Sequence, residues 1–402
     1  MTVQQQTGPQ PRFDLKASAW SRRKKRIKHD LLQIAIIVAM VGILIAFALA
    51  VRNGLARHGI SFSFDYLWQA AGFDISEGKT FSWSGSLPNL TDFTAADSNA
   101  QALITGLFNT IKVAVLGIIF STILGVMLGV GRLSTNWLVR QISFGVIEFV
   151  RNTPLLIQLV FWYFAVVLQF PPLAAAAKLY GGFIISQQGT YLPWPVLAEG
   201  ATIPSAVAAS VGIALVFTAL FVSAKLRILA LVAAFAALAL AIGLGFPFVL
   251  DYPVANRFRA SGGIAISPEM AALLLAIVVN SASYIAEIVR GAIEAVNRGQ
   301  WEAAAALGLN RRDTLSDIIL PQVFRVVLPS LGNQYINLSK NTALGIAIGF
   351  PELFNIYGTI ANQTGRTLEG IVIVMVAYLL LSWIISAVVN FANSRLAMGT
   401  SR

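Results

Sequence analysis

The sequence predicts an all-α membrane protein, a polytopic bundle of about eight transmembrane helices. Of its 402 residues, 56% are hydrophobic and only 12% are charged, which is about half the charged share of soluble domains. The mean hydropathy is +0.72, and apolar stretches of spanning length recur along the chain. This composition excludes an ordinary cytosolic enzyme and a disordered protein.

The N-terminal segment accounts for most of the net charge of +11. Residues 1–30 hold a run of Lys and Arg residues opposed only by Asp14 and Asp30. A basic run directly before an apolar span is typical of a cytoplasmic anchor, and nucleic-acid binding is the less favoured interpretation. The chain has no cysteine, which excludes disulfides, thiol nucleophiles and cysteine metal sites. The two histidines, His29 and His58, flank the first span and are interpreted as interfacial residues rather than ligands, so that we expect no metal and no cofactor in this chain.

Eight apolar stretches are long enough to cross a bilayer, which takes about 20 residues per helix. The first lies at 31–51. A retained helix is favoured over a cleaved signal peptide there, because the charged and apolar parts both exceed signal-peptide size. The other seven spans are expected at about 104–131, 149–170, 203–223, 228–250, 269–289, 326–348 and 371–392.

The spans and loops divide the chain into five segments. They are a basic cytoplasmic N-terminus (1–30), a first span with a polar outer loop (31–100), two spans (101–170), an insert with two more (171–267), and the last three spans (268–395), which enclose the cytoplasmic loop 290–325. Most of the 29 Lys and Arg residues lie in the segments that this topology places in the cytoplasm, as the positive-inside rule requires. Both termini are therefore expected on the cytoplasmic side.

The loop 290–325 is hydrophilic but favours helix. Residues 301–307 are rich in alanine, and Gly308 stands where a helix ends in a left-handed residue. Asn310 can cap a second short helix, and Pro321 marks a break or the start of the next span. The sequence predicts a helix, a sharp turn and a second helix on the cytoplasmic face.

This loop resembles the EAA loop of bacterial ABC-importer permeases. The shared pattern is Glu302-Ala303-Ala304, three residues, Gly308, nine residues, then Ile-x-Leu-Pro321. The resemblance implies a coupling helix that docks in a groove of an ATP-binding subunit, with these five residues in the coupling role. An ordinary amphipathic connector is the alternative.

Four further segments narrow the resemblance. Residues 148–159, 284–291, 340–344 and 351–353 are similar to segments of polar amino acid permeases. The added first span and the insert 171–267 resemble the larger permease subunits of general L-amino acid importers. The resemblance implies a type I ABC-importer transmembrane domain in the bacterial inner membrane. The implied partners are an ATPase subunit, an extracytoplasmic amino-acid-binding protein and a second, related permease.

A charge inside a span is costly, about 2.5–3.5 kcal/mol on insertion scales, and usually faces a cavity or a partner. Glu287 is a candidate for a cavity carboxylate that orients a substrate ammonium, with an interhelical ion pair as an equal alternative. Lys340, beside Asn341 and Thr342, is a candidate contact for a substrate carboxylate. The alternative is a pair with Glu287 or a backbone contact.

Several other residues in or beside the predicted spans are weaker candidates. Glu148 and Arg151 lie one helical turn apart and form either a gate or a structural pair. Asn109 is a candidate for the substrate path, although helix packing is the favoured interpretation of it and of Thr110. The glycines at 117, 125, 129 and 131 are expected to allow close helix packing.

The function predicted from these residues is a permease subunit of an ATP-driven amino acid importer. The chain carries no complete nucleotide-binding loop, so that ATP hydrolysis is expected in a partner chain. The alternative is a secondary transporter driven by an ion gradient, which would explain the charges at 287 and 340 but not the pattern at 302–321.

Overall fold

A computed structural model describes residues 28, 31–43, 45–47, 49–50, 53–54, 62–82, 89–179, 181–198, 202–219, 224–256 and 260–398. The predicted basic N-terminus therefore lies, apart from Lys28, outside the described residues. The chain divides into two compact units, residues 1–65 and 66–402. In the first unit an apolar helix, α1, covers Leu31–Phe47.

The second unit is mainly helical. Its helices are α2 (Asn99–Arg132), α3 (Trp137–Arg151), α4 (Leu155–Phe161), α5 (Ile203–Ala219), α6 (Ala224–Gly243), α7 (Pro268–Glu294), α8 (Arg298–Ala306), α9 (Arg311–Asp313), α10 (Leu320–Asn341), α11 (Leu353–Thr364) and α12 (Thr367–Met398). A π-helical turn (Thr314–Ile319) joins α9 to α10, and a 3-10 helix (Thr342–Ile348) extends α10.

Within the described residues, five helices are long and apolar enough to cross a membrane, or six if one bent pair counts as a span. The predicted count of eight is therefore not confirmed. The expected spans at 31–51 and 203–223 correspond to α1 and α5, which are shorter apolar helices.

The expected straight span at 149–170 is instead a helix pair bent by 104°, Trp137–Arg151 with Leu155–Gln169. Pro154 causes the break, because it has no N–H and disfavours helical geometry at the residue before it. The Gln158 Nε2 atom donates to the carbonyls of Val150 (2.9 Å) and Thr153 (2.8 Å). These bonds satisfy backbone acceptors that the break leaves without helical partners.

Short antiparallel strands occupy the segments between the helices, and one of them includes the end of the span expected at 228–250, whose helix ends at Gly243. They are β1 (Lys79–Ser82), β2 (Asn89–Asp92), β3 (Ala177–Leu179), β4 (Phe183–Ser186), β5 (Gly189–Leu192), β6 (Trp194–Leu197), β7 (Phe248–Asp251), β8 (Val254–Ala255), β9 (Ala260–Ser261) and β10 (Ile264–Ile266). The largest sheet has the order β10-β5-β4-β3, and the other strands pair as β1-β2, β6-β7 and β8-β9.

Helices α2 and α7 run parallel and in direct contact. A Cβ at Gly125 would lie 2.6 Å from Ile285 Cγ2, and one at Gly129 would lie 2.7 Å from the carbonyl oxygen of Ala286. The expectation that these glycines allow close packing is confirmed.

Helix α10 runs antiparallel to this pair, since Leu338 lies beside Gly117 and Ile319 shares a buried cluster with Ala292. Helix α12 is antiparallel to α10, because Val389 contacts Gly332 and the Tyr378 hydroxyl lies near Thr342. One end of the bundle therefore carries Arg132 and α8, and we call it the α8 end. The other carries α11 and the strand β10 that leads into α7, and we call it the α11 end.

Candidate functional site

Helix α8 ends in a Schellman turn. The N–H of Leu309 donates to the carbonyl of Ala304 (3.1 Å), and the N–H of Gly308 donates to that of Ala305 (3.0 Å). Gly308 has a φ of 69°, which lies in the left-handed region that favours glycine. The predicted helix end at Gly308 is therefore confirmed.

The second predicted helix begins as expected but is not a separate short helix. The Asn310 side chain accepts from the N–H of Asp313 (2.8 Å) and caps α9. The chain then continues through the π-helical turn into α10 without a break, and Pro321 lies in the first turn of α10. A π-helical turn displaces the hydrogen-bond ladder by one residue, immediately before the position where Pro321 has no N–H to donate.

One side of α8 is open to solvent. Ala304 is buried, whereas Glu302 and Ala303 are exposed and Leu307 is 77% exposed. We call the exposed residues Glu302, Ala303 and Leu307 the α8 surface. Leu307 was missed by the sequence analysis, although an apolar residue directly before a helix-ending glycine is a signal worth testing.

A charge cluster joins the ends of α2, α3 and α7 at the α8 end. Arg132 pairs with Glu287, and the Arg290 Nη2 atom lies 3.0 Å from Glu287 Oε2. Glu148 Oε1 lies 3.9 Å from the Arg132 Nη1 atom and 4.0 Å from the Arg151 Nη1 atom. This geometry favours the ion-pair alternative for Glu287.

Arg132 is a member of this cluster that the sequence analysis missed. Its guanidinium also lies 4.9 Å from the ring centroid of Phe144 on α3, an attractive geometry. The sequence could have predicted its position, because Gly125, Gly129 and Arg132 lie on one face of α2 at helical spacing.

A cavity of about 610 Å³ lies between the helix break, α7 and α10. It brings together three of the predicted substrate-path residues, Arg151, Lys340 and Asn341. Glu148, Glu287, Thr342 and Asn109 are not among its lining residues. The additional polar residues that line it are Asn152, Thr153, Asn280, Tyr284, Gln334 and Asn337.

Asn109 holds two chain segments against α2. Its Nδ2 atom donates to the carbonyls of Glu77 (2.7 Å) and Pro351 (2.9 Å). Thr110 Oγ1 accepts from the N–H of Leu353 (3.1 Å). These contacts favour the packing interpretation of both residues.

Thr342 is likewise held by local contacts, since its buried hydroxyl donates to the carbonyl of Ser339 (2.7 Å). In the described part of the chain, no group of three or more His, Asp or Glu side chains is placed to hold a metal ion.

Residues 121–401 match the family described as binding-protein-dependent transport system inner membrane component. The chain is 37% identical to the putative amino-acid ABC transporter permease protein YhdX of Escherichia coli strain K12, a match that covers 92% of this chain and 95% of YhdX. It is 35% identical to the general L-amino acid transport system permease protein AapQ of Rhizobium johnstonii, over 96% of this chain and 97% of AapQ. A match to the crystal structure of an amino acid ABC transporter with histidines covers 74% of this chain and 94% of the chain in that structure. The sequence identity is 21% and the TM-score is 0.46.

Proposed function

The chain belongs to the family of binding-protein-dependent transport system inner membrane components. From this premise we propose that it imports amino acids. We also propose that α8 couples it to an ATPase. It is a transport subunit of an ATP-driven importer, and ATP hydrolysis resides in a separate subunit. Membership of this family argues against the alternative, a secondary transporter driven by an ion gradient.

The α8 surface is the observation that carries the coupling proposal. The small exposed side chain of Ala303 allows the backbone of a partner to approach this helix closely. Leu307 adds an exposed apolar residue at the end of the helix. The coupling residues are Glu302, Ala303, Ala304, Gly308 and Pro321, and the proposed partner is the ATP-binding subunit.

The position of α8 in the chain gives coupling a mechanical route. Its start is capped by Asn297 directly after α7, and the Schellman turn connects its end to α9 and α10. Because α7 and α10 both line the cavity, a displacement of α8 acts on two of its walls. We propose that ATP-driven movement of the partner reaches the substrate path in this way.

The remaining features of the proposed importer are inferred from its family and from its relatives. An extracytoplasmic amino-acid-binding protein delivers the substrate, and a second, related permease completes the membrane domain. The chain is a multi-pass inner-membrane protein, and we propose that both termini face the cytoplasm. The amino acid substrates are supported by the names of YhdX and AapQ.

The coupling proposal predicts that Ala303→Trp displaces the ATPase. The larger side chain blocks close approach to the α8 surface, while the exposed position leaves room for it in the permease itself. We expect the ATPase to be lost from the detergent-purified complex and uptake of amino acids to fall with it.

Ala70→Trp is the matched control, since Ala70 is also exposed but lies at the α11 end. This variant is expected to retain the ATPase. Full retention of the ATPase and normal uptake in Ala303→Trp would show that α8 is only a connector.

A further inference from the structure

Helix α3 lies across the bundle rather than along it. The second half of the bent pair, Leu155–Gln169, packs along α7, and the Tyr163 hydroxyl donates to Glu269 at the start of α7 (3.0 Å). The axis of α3 makes an angle of 104° with this half. Helix α3 is therefore almost perpendicular to the direction of α7.

The contacts of α3 hold it at the level where α2 ends. A Cβ at Gly131 would lie 2.5 Å from the Ser143 Oγ atom. Phe144 and Glu148 both lie near Arg132, the last residue of α2. Three positions spread over more than one turn of α3 thus approach the same two residues of α2. A helix that ran along the bundle would instead meet α2 at successive levels.

One side of α3 is exposed and apolar. Its residues recur at spacings of three and four and so share one helix face. They are Leu138, Ile142, Val146 and Phe149, and we call them the α3 face. The adjoining flank is buried, through Ser143, Ile147 and Val150, and α3 packs on α2 and α7. The apolar side of this amphipathic helix is therefore turned away from the bundle.

The side opposite the α3 face is polar. Arg140 and Gln141 are exposed there, and no carboxylate in the described part of the chain pairs with Arg140. Trp137, at the start of the helix, is 63% exposed, and tryptophan is enriched at the level of lipid headgroups. A basic, polar face opposite an apolar one is typical of a helix in the membrane interface.

Water suits only one side of α3, and the hydrocarbon core suits only the other. A contiguous exposed apolar patch marks an interaction site, whereas an arginine within the core is costly. The boundary between the two satisfies both sides, because an interfacial helix buries its apolar face about 5–10 Å into the lipid. The perpendicular direction of α3 brings the whole α3 face to such a boundary.

We propose that α3 is an interfacial helix that lies in the membrane surface at the α8 end, with the α3 face in the lipid and Arg140 at the phosphates of anionic headgroups. The partner of this surface is the lipid leaflet. The contact has an effect beyond α3, because Glu148 lies near Arg132, which pairs with Glu287. The leaflet thereby supports the charge cluster from one side.

Nitroxide labels on single cysteines measure the depth of α3, since the chain has no cysteine of its own. The labels are placed at Leu138→Cys, Ile142→Cys and Phe149→Cys, in the complete transporter with cysteine-free partner subunits, in liposomes that contain phosphatidylglycerol. Depth follows from the accessibility of each label to O₂ and to a water-soluble nickel chelate. We expect all three labels at about 5–10 Å below the headgroups. In a spanning helix, residues 138 and 149 would differ in depth by about 16 Å.

Two further labels serve as controls. Gln141→Cys, on the polar side of α3, should be more accessible to the nickel chelate than to O₂. Leu379→Cys is exposed near the middle of α12, which is long enough to cross a membrane. Its label should lie deeper than every label on the α3 face.

A fluorescent label tests the headgroup contact. Bimane at Ile142→Cys is quenched by phosphatidylglycerol or phosphatidylcholine that carries a nitroxide. We expect phosphatidylglycerol to associate about fivefold more strongly, the ratio that one arginine near an anionic surface supplies. Arg140→Gln should bring this ratio close to one. Arg311→Gln, which removes an exposed arginine of α9, is the matched control and should leave the ratio unchanged.

Depths that increase steadily from residue 138 to residue 149 would overturn the proposal in favour of a spanning helix. Labels that are more accessible to the nickel chelate would place the α3 face in water, and labels shielded from both reagents would show that a protein subunit covers it. Equal quenching by the two lipids, or the same loss in both arginine variants, would overturn the headgroup contact. These measurements require neither ATP nor uptake, so their outcome is independent of the coupling proposal.

Discussion

Glu352 is a buried carboxylate that organises the α11 end. Its oxygens accept from the backbone N–H groups of Phe354 and Asn355 (both 2.7 Å) and so cap the start of α11. The Tyr378 hydroxyl of α12 donates to the same carboxylate (3.1 Å). Burial raises the pKa of Glu352 to about 7, although these three hydrogen bonds oppose the rise.

This pKa predicts a pH-dependent stability that Glu352→Gln should remove. The folded chain binds the proton more tightly than the unfolded chain, whose pKa is near the ordinary value of 4.5. Raising the pH from about 4.5 to about 7 therefore destabilises the wild-type protein. We expect the Tm of the wild type minus that of Glu352→Gln to fall as the pH rises from 5 to 8, measured by thermal unfolding in detergent. A difference that grows with pH would show that the ionised form is the stabilised one.

The contact between α2 and α7 is a close helix packing in the centre of the bundle. It depends on glycines whose missing side chains leave room for Ile285 and for the backbone at Ala286. Close approach of this kind stabilises helix pairs in membranes, where hydrophobic burial against lipid contributes little. The contact also brings Arg132 to Glu287.

Gly129→Ala should destabilise this pair. Its Cβ would lie 2.7 Å from the carbonyl oxygen of Ala286, so that the helices must separate, at a cost of about 1–3 kcal/mol in the free energy of unfolding. Gly145→Ala on α3 is the matched control, because a Cβ there has no atom within 4 Å, and alanine favours helix. Unfolding in detergent should show a loss only in Gly129→Ala. Equal stabilities of the two variants would refute the tight contact.

Local signals predicted some elements well and others poorly. The glycine spacing on α2 and the Gly308 turn follow from single residues whose geometry only glycine satisfies easily. The bend at residues 152–154 was missed because the apolar stretch 149–170 met the length criterion for a span despite Pro154. The strands at 177–197 were missed because their alternation is short and is interrupted by glycines and prolines.

The candidate site was likewise predicted only in part from the sequence. The α8 surface lies on one continuous segment, which is why its pattern was visible. The cavity is assembled from three separate elements, and a sequence without partners cannot show which polar faces meet. One sequence pattern did indicate a polar helix face: Gln334, Asn337 and Asn341 lie at helical spacing on a predicted span. The pairing of Glu287 with Arg132 depended on the same tertiary information.

The helix directions define how the second unit, residues 66–402, crosses the membrane. Helices α2, α7 and α12 run toward the α8 end, while α10 and α4 run the other way; α3 stays at the α8 end, since Phe144 and Glu148 both lie near Arg132. This arrangement places the α8 surface and the charge cluster at one end of the bundle. The predicted topology assigns that end to the cytoplasm.

The absence of cysteine makes this orientation directly testable with single cysteines. Ala303→Cys and Ala70→Cys are both at exposed positions, at opposite ends of the bundle. In intact spheroplasts, a membrane-impermeant maleimide should label only Ala70→Cys. In inverted membrane vesicles from cells that lack the ATPase subunit, which would otherwise cover the α8 surface, it should label only Ala303→Cys. The opposite pattern would invert the proposed topology.

The bend between α3 and α4 also has a consequence for how the chain is made. Helix α3 has 15 residues and is about 22 Å long, shorter than the hydrocarbon core of about 30 Å. Neither half of the bent pair can therefore cross a bilayer as a straight helix. Both halves pack against α7, which the ribosome completes only after the insert 171–267 has emerged. We therefore expect the bent pair to settle into its final position late, when α7 arrives beside α2 and supplies a surface against which both halves pack.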